Sequence, residues 1–172
     1  KLQPMPSLHQ TVLGISFDNP LLTASGKWAW TAEQCQKALD GGAGGITTKS
    51  FSTLERTGHP EPTVIQGEQY TLNAVGLPSE GFEAVRRDLG SFISHRSAPV
   101  IVSIFGESVE RFGEAANAFA ALGADALELN ISCPNVQDEH GLPFSYAPDT
   151  AAAAVKAAKD AAPGMRMFAK LS

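Results

Sequence analysis

Short apolar segments alternate with amphipathic segments along most of this 172-residue chain. The apolar segments span residues 21–24, 45–48, 99–104, 126–129 and 167–171. Strands that alternate with helices are typical of parallel β/α units, in which each crossover helix covers the sheet. The pattern therefore predicts an α/β fold. Five such strands fit either an open doubly wound sheet or part of an eight-stranded barrel.

Helix signals lie between the apolar segments. Thr31 and Gln34 form a capping-box pattern, and the helix that follows is expected to end at Gly41. Further helices are predicted over residues 80–92 and 108–122, and Asp149 is expected to cap a helix that runs to residue 162. A hairpin over residues 11–17 is predicted to precede the first strand.

The last predicted strand ends almost with the chain, so no helix follows to cover it. An uncovered parallel strand leaves apolar surface and an unpaired edge. The expectation is therefore that residues 1–172 form the N-terminal part of a single (β/α)8 TIM-barrel domain. They would supply the N-terminal hairpin and roughly the first five strands.

Composition excludes several classes of function. The net charge is −5, and no Lys/Arg cluster extends beyond Arg86 and Arg87, which argues against nucleic acid as a partner. No apolar run reaches the roughly 20 residues of a membrane span, and no signal peptide opens the sequence. Cys35 and Cys133 lack metal-ligand spacing. We therefore expect a cytoplasmic protein with reduced thiols, no membrane partner and no metal site.

Chemically useful side chains follow the predicted strands. Asn130, Cys133 and Asn135 come directly after the apolar segment 126–129. The pKa of a free thiol, roughly 8.5, suits proton transfer once tuned, although a lone cysteine is more often a buried structural residue. Asn side chains offer both donors and acceptors to a ring edge, but they are also common turn formers. The alternatives stay open on these residues alone.

Other strand ends carry cations and small residues. Lys49 follows the second strand and opens a long polar segment, 49–78, which is expected to be a functional loop. Lys170 lies on the fifth strand, and Ala24-Ser25-Gly26 follows the first. Trp28 and Trp30 come next, and both are expected to pack in the core.

Taken in order, these motifs resemble the class 1 dihydroorotate dehydrogenases. The similarity rests on Ala24-Ser25-Gly26, Thr48-Lys49-Ser50, the segment 72–78, Asn130-Ile131-Ser132-Cys133-Pro134-Asn135 and Ala169-Lys170-Leu171-Ser172. The residues around Gly58 and Asn73 look closest to the class 1B subgroup. The resemblance covers essentially the whole chain but only about half of a typical family member.

The resemblance implies FMN-dependent oxidation of dihydroorotate to orotate in de novo pyrimidine biosynthesis. Cys133 would be the general base, and the flavin would accept the hydride. The implied substrate-binding residues are Lys49, Asn73, Val75, Gly76, Leu77, Asn130 and Asn135. The implied cofactor-binding residues are Ala24, Ser25, Gly26, Lys49, Ser50, Ser103, Asn130 and Lys170. Ser103 stands where several family members carry an asparagine.

The resemblance also implies partner proteins, and alternative functions remain open. Class 1B relatives work with an electron-transfer subunit that carries FAD and an iron–sulfur cluster, and a homo-oligomer is expected. A flavin subunit of a dihydropyrimidine dehydrogenase would use similar chemistry on a ring without the carboxylate. A tRNA dihydrouridine synthase shares barrel, flavin and cysteine. An incomplete half-barrel, inactive alone, is the remaining alternative.

Overall fold

The computed structural model describes residues 7–133 and 141–171. In chain order, the strands in this part of the chain are β1 (Gln10–Val12), β2 (Ile15–Phe17), β3 (Ile46–Thr47), β4 (Glu55–Arg56), β5 (Val64–Gln66), β6 (Thr71–Asn73), β7 (Ser79–Glu80), β8 (Val100–Ile104), β9 (Ala126–Asn130) and β10 (Met167–Lys170). The helices are α1 (Ala32–Asp40), α2 (Phe82–Ser94), α3 (Val109–Ala120) and α4 (Pro148–Ala161).

A parallel sheet of four strands forms the centre, in the order β10-β9-β8-β3. The α/β class and four of the predicted parallel strands are confirmed. The predicted first strand over residues 21–24 is wrong. That segment makes only a single parallel bridge, from Leu22 to Gly45, and Leu21 is 68% exposed. The Thr23 side chain bonds the backbone of Thr47 instead, because its Oγ1 accepts from the Thr47 N–H and donates to the Thr47 carbonyl, so no backbone ladder extends there.

Side chains alternate between the two faces of the sheet, as the strand period requires. On one face, the fully buried Val102, Ile104, Leu127 and Leu129 pack with the helices into the main hydrophobic cluster. Helices α3 and α4 lie close together at Gly113, where an added Cβ would lie 3.4 Å from the carbonyl oxygen of Ala157. This face is therefore a sealed apolar layer.

The opposite face has a different cover. The predicted hairpin is confirmed as the antiparallel pair β1 and β2. It buries Ile15 and Phe17 against Ile101, Ala126 and the half-buried Phe168. The hairpin thus covers the amino-terminal part of this face, and the carboxyl-terminal part carries polar side chains.

Local signals explain most helix boundaries. The capping box is confirmed, because Thr31 accepts from the backbone N–H of Gln34 and the Gln34 side chain accepts in return. The Ser108 side chain caps α3 by accepting from the backbone N–H of Arg111. The prediction for α4 was wrong, since the N-cap is Ala147 and Asp149 lies inside the first turn. Pro148 supplies the start instead, because its fixed φ suits the first helical position.

The segment 49–78 was predicted as a long loop, but it contains strands. β4 pairs with β7, and β5 pairs with β6 as a hairpin whose side chains are all exposed. Alternation of buried and exposed residues, the usual strand signal, is missing from this hairpin. Among the described residues, no helix is long and apolar enough to cross a membrane.

The packing of Phe119 gives a test of this fold. Its fully buried ring lies 5.2 Å from that of Phe82 and 6.3 Å from that of Phe51. Phe119→Ala should lower the free energy of unfolding by about 3–5 kcal/mol, since it leaves a cavity between the sheet and two helices. Urea denaturation measures this. Leu72→Ala, on the exposed hairpin, should change it by less than about 0.5 kcal/mol; equal losses would contradict the assigned core.

Candidate functional site

A cavity of about 490 Å³ opens at the carboxyl ends of the parallel strands. Ligand sites of parallel sheets lie at this end because the strand-to-helix loops converge there. The residues that line it are Ser25, Gly26, Lys49, Ser50, Asn73, Val75, Gly76, Leu77, Asn130, Ser132, Cys133, Lys170 and Leu171. Most of the predicted site residues therefore meet in one cavity.

Two predicted residues among those described do not line this cavity. Ala24 is exposed beside it, and Ser103 is fully buried behind Ser50. Asn135 lies outside the described residues. The assignment of these residues to ligand binding stays a prediction.

The two cysteines have different surroundings. Cys133 follows β9 and is half-buried at the cavity wall, where it borders a second, smaller pocket near Phe105 and Phe144. Cys35 is fully buried on α1, and burial, aided by the charge of Asp88, raises the pKa of its thiol to about 11. A thiol that holds its proton so firmly is a packing group. Cys133 is the thiol available for chemistry.

Lys49 is a buried cation. It is only 5% exposed, its Nζ donates to the carbonyl of Ser50 at 3.2 Å, and it lies 5.7 Å from the centre of the Trp30 ring. Burial lowers the pKa of Lys49 to about 8. The negative charge of Cys133 opposes this decrease, the positive charge of Lys170 adds to it, and the negative charge of Glu80 opposes it. A buried ammonium with so few partners is suited to bind an anionic ligand.

Asn130 ends β9 and is buried. Its Nδ2 donates to Ser50 Oγ at 3.0 Å, whereas its Oδ1 has no hydrogen-bond partner among the described residues. A buried, unpaired amide oxygen costs roughly 1–3 kcal/mol. Asn130 lines the cavity, and its unpaired oxygen is buried.

The segment after β6 forms the opposite wall. Gly76 has a φ of +75°, and a Cβ there would lie 2.6 Å from the His59 ring, so only glycine fits. The carbonyl of Gly76 accepts from Arg56 Nε at 2.8 Å. Arg56 was not predicted, because a single arginine in a polar segment carries no signal of its own.

A polar chain runs behind the cavity, across the strands. Ser50 Oγ lies 2.9 Å from Ser103 Oγ, and Ser103 donates to Glu128 Oε1 at 2.7 Å. Lys170 Nζ lies 3.4 Å from the same oxygen and donates to Ser25 Oγ. Glu128 was missed because the segment 126–129 was treated as apolar. The available signal was a single charged residue in an otherwise apolar strand, at a position whose side chain points to the face opposite its neighbours.

The expectation for the tryptophans was half wrong. Trp28 is 83% exposed. Trp30 packs against the main hydrophobic cluster, as predicted, and its Nε1 donates to Glu80 Oε1 at 2.6 Å. The indole of Trp30 is thereby held beside Lys49. Within residues 7–133 and 141–171, no group of three or more His, Cys, Asp or Glu could hold a metal ion.

Burial of Lys49 predicts a pH dependence of stability. Between about pH 8 and 10.5 the folded chain has released this proton and the unfolded chain has kept it, so stability rises with pH. Lys49→Met should therefore unfold at higher urea than the parent at pH 7. Its advantage should shrink by about 1.4 kcal/mol per pH unit across that window. A constant difference from pH 7 to pH 10 would contradict the buried cation.

Comparison with known proteins identifies the family. The family model for dihydroorotate dehydrogenase matches residues 7–172. The dihydroorotate dehydrogenase B (NAD(+)) catalytic subunit of Pyrococcus horikoshii is 41% identical over 154 residues, which are 89% of this chain and 49% of that protein. The subunit of the same name from Methanosarcina mazei is 36% identical, over 89% of this chain and 49% of its own length.

A more distant relative extends the agreement. The subunit of that name from Geobacter sulfurreducens is 34% identical over 91% of this chain and 51% of its own length. The chain thus spans about half the length of the curated relatives it matches. The family expected from the strand-end motifs is confirmed: this chain belongs to the dihydroorotate dehydrogenase family.

Proposed function

We propose that this chain supplies the substrate half of an FMN-dependent dihydroorotate dehydrogenase, which oxidises dihydroorotate to orotate in de novo pyrimidine biosynthesis. One observation carries the proposal. A thiol (Cys133), a buried cation (Lys49) and a buried amide whose oxygen has no partner among the described residues (Asn130) line the same cavity at the strand ends. These groups match a base, a carboxylate partner and a ring-edge partner.

The residues present fit a flavin. Ser25, Gly26 and Ser50 give the wall small side chains, and Lys170 adds a cation. When bound, FMN supplies the acceptor for the hydride that leaves C6 of the substrate.

The chain's own residues account for the rest of the reaction. Cys133 removes the proton from C5 as general base. Lys49 holds the substrate carboxylate, together with the backbone N–H groups of Val75, Gly76 and Leu77. The amides of Asn73, Asn130 and Asn135 bind the alternating N–H and C=O groups of the ring edge. Lys170 stabilises negative charge on the reduced flavin, and Ser103 supports the flavin site through Ser50.

The proposal extends to the architecture and its partners. We infer a (β/α)8 barrel, to which residues 1–172 contribute the N-terminal part of the domain. The names of these relatives describe NAD(+)-linked catalytic subunits. By that likeness, the partner would be an electron-transfer subunit with FAD and an iron–sulfur cluster. Homo-oligomer formation and a cytoplasmic location, without membrane or nucleic-acid partners, complete the proposal.

The carboxylate of orotate separates this function from the alternatives. A dihydropyrimidine dehydrogenase or a tRNA dihydrouridine synthase reduces rings that lack it, and a buried Lys49 would then face no anion. The flavin-loaded protein should bind orotate more tightly than uracil in a titration of flavin absorbance. Tighter binding of uracil would favour the other enzymes, and a folded protein that takes up no FMN would favour an inactive half-barrel.

Cys133 gives the direct test of mechanism. Cys133→Ala should keep the bound FMN but slow its anaerobic reduction by dihydroorotate by about 10²- to 10⁴-fold, because the proton at C5 then has no base. Stopped-flow absorbance measures the rate. Cys35→Ala is the matched control, since that thiol lies buried on α1. The flavin in this variant should be reduced by dihydroorotate at the parent rate. Parent-rate reduction in Cys133→Ala would refute the assignment.

A further inference from the structure

Asn130 lines the cavity, and its amide directs the NH2 group to Ser50 and leaves the oxygen buried. The reverse orientation would place the same atoms in nearly the same positions. Its Nδ2 donates to Ser50 Oγ, and its Oδ1 has no partner among the described residues. Which group faces a ligand decides whether the site recognises an N–H or a carbonyl, so the orientation needs a cause.

The cause can be followed one hydrogen at a time. A carboxylate has no hydrogen to donate, so at Glu128 the Ser103 hydroxyl must be the donor. Ser103 has then used its only hydrogen and must accept from Ser50. Ser50 has in turn used its own hydrogen and must accept from Asn130, which only the NH2 group can satisfy. Each bond in the chain therefore points toward Glu128.

The sheet keeps this chain intact. Ser103 and Glu128 are register partners on the adjacent strands β8 and β9, and both Ser50 and Ser103 are buried. Lys170 Nζ lies 3.4 Å from the Glu128 oxygen that Ser103 contacts. Its positive charge balances the negative charge of the half-buried Glu128. Water has little access to replace any member of the chain, so the direction set at Glu128 reaches Asn130.

We propose that Glu128 is a positioning residue that orients the Asn130 amide through Ser103 and Ser50, so that Oδ1 accepts a ring N–H of the bound pyrimidine. The inference rests on the proposed function, because it takes the pyrimidine as the ligand. Glu128 touches neither substrate nor cofactor in this role. A glutamine at position 128 can donate or accept, so it would leave the direction of the chain undetermined.

The test compares orotate with its N-methyl analogues in the flavin-loaded protein. Dissociation constants are measured from the change in flavin absorbance for orotate, 1-methylorotate and 3-methylorotate. Glu128→Gln should raise the dissociation constant of orotate about tenfold, which corresponds to about 1.4 kcal/mol of binding free energy. It should leave unchanged the affinity for the analogue whose methyl group replaces the N–H that faces Asn130. A merely structural role would weaken all three ligands together.

Further variants locate the effect in the chain. Ser103→Ala should reproduce the loss of Glu128→Gln, and the double variant should lose no more than either single one, since each breaks the same chain. Glu83→Gln, an exposed carboxylate on α2 paired with Arg86, is the control and should bind all three ligands as the parent does.

The outcomes separate the two proposals. If the parent protein binds orotate but Glu128→Gln binds it equally well, or loses all three ligands in equal proportion, the role of Glu128 is overturned. Additive losses in the double variant would overturn it too. If the flavin-loaded parent shows no response to orotate, the proposed function itself fails, and the role of Glu128 fails with it.

Discussion

The two-residue alternation of the buried parallel strands is the constraint on which this structure depends. In β8, Val102 and Ile104 face the helices, and Ser103 faces the other side. In β9, Leu127 and Leu129 pack against the helices, and Glu128 and Asn130 join the polar chain. One strand can therefore stabilise the core and carry the site, because successive side chains point to opposite faces.

The polar face works because its members satisfy one another. Glu128 has Ser103 and Lys170 as partners, and Ser50 links Ser103 to Asn130. Buried polar groups are costly when unpaired, so two exceptions point to a ligand. Among the described residues, they are the Oδ1 of Asn130, which has no hydrogen-bond partner, and the ammonium of Lys49, whose pKa burial has lowered. Both belong to the same cavity.

Predictions from sequence succeeded where the cause was local. The capping box at Thr31 needs only residues three apart, and the apolar run before Asn130 needs only its neighbours. They failed where distant parts of the chain decide. In the segment 21–24, the Thr23 side chain bonds the Thr47 backbone in place of a ladder, and Trp28 remains exposed although tryptophan usually packs. At α4 the fixed φ of Pro148 outweighed the capping preference of Asp149.

The sequence by itself determined the α/β class, the family and most of the groups at the strand ends, because periodicity and motifs are properties of neighbouring residues. Only the tertiary structure decided which groups meet. Ser50 and Asn130 are 80 positions apart in the chain, yet they form a hydrogen bond. Glu128 looks like an isolated charge in an apolar strand until sheet register sets it beside Ser103. Burial of Lys49 and the orientation of Asn130 likewise depend on strands that pack side by side.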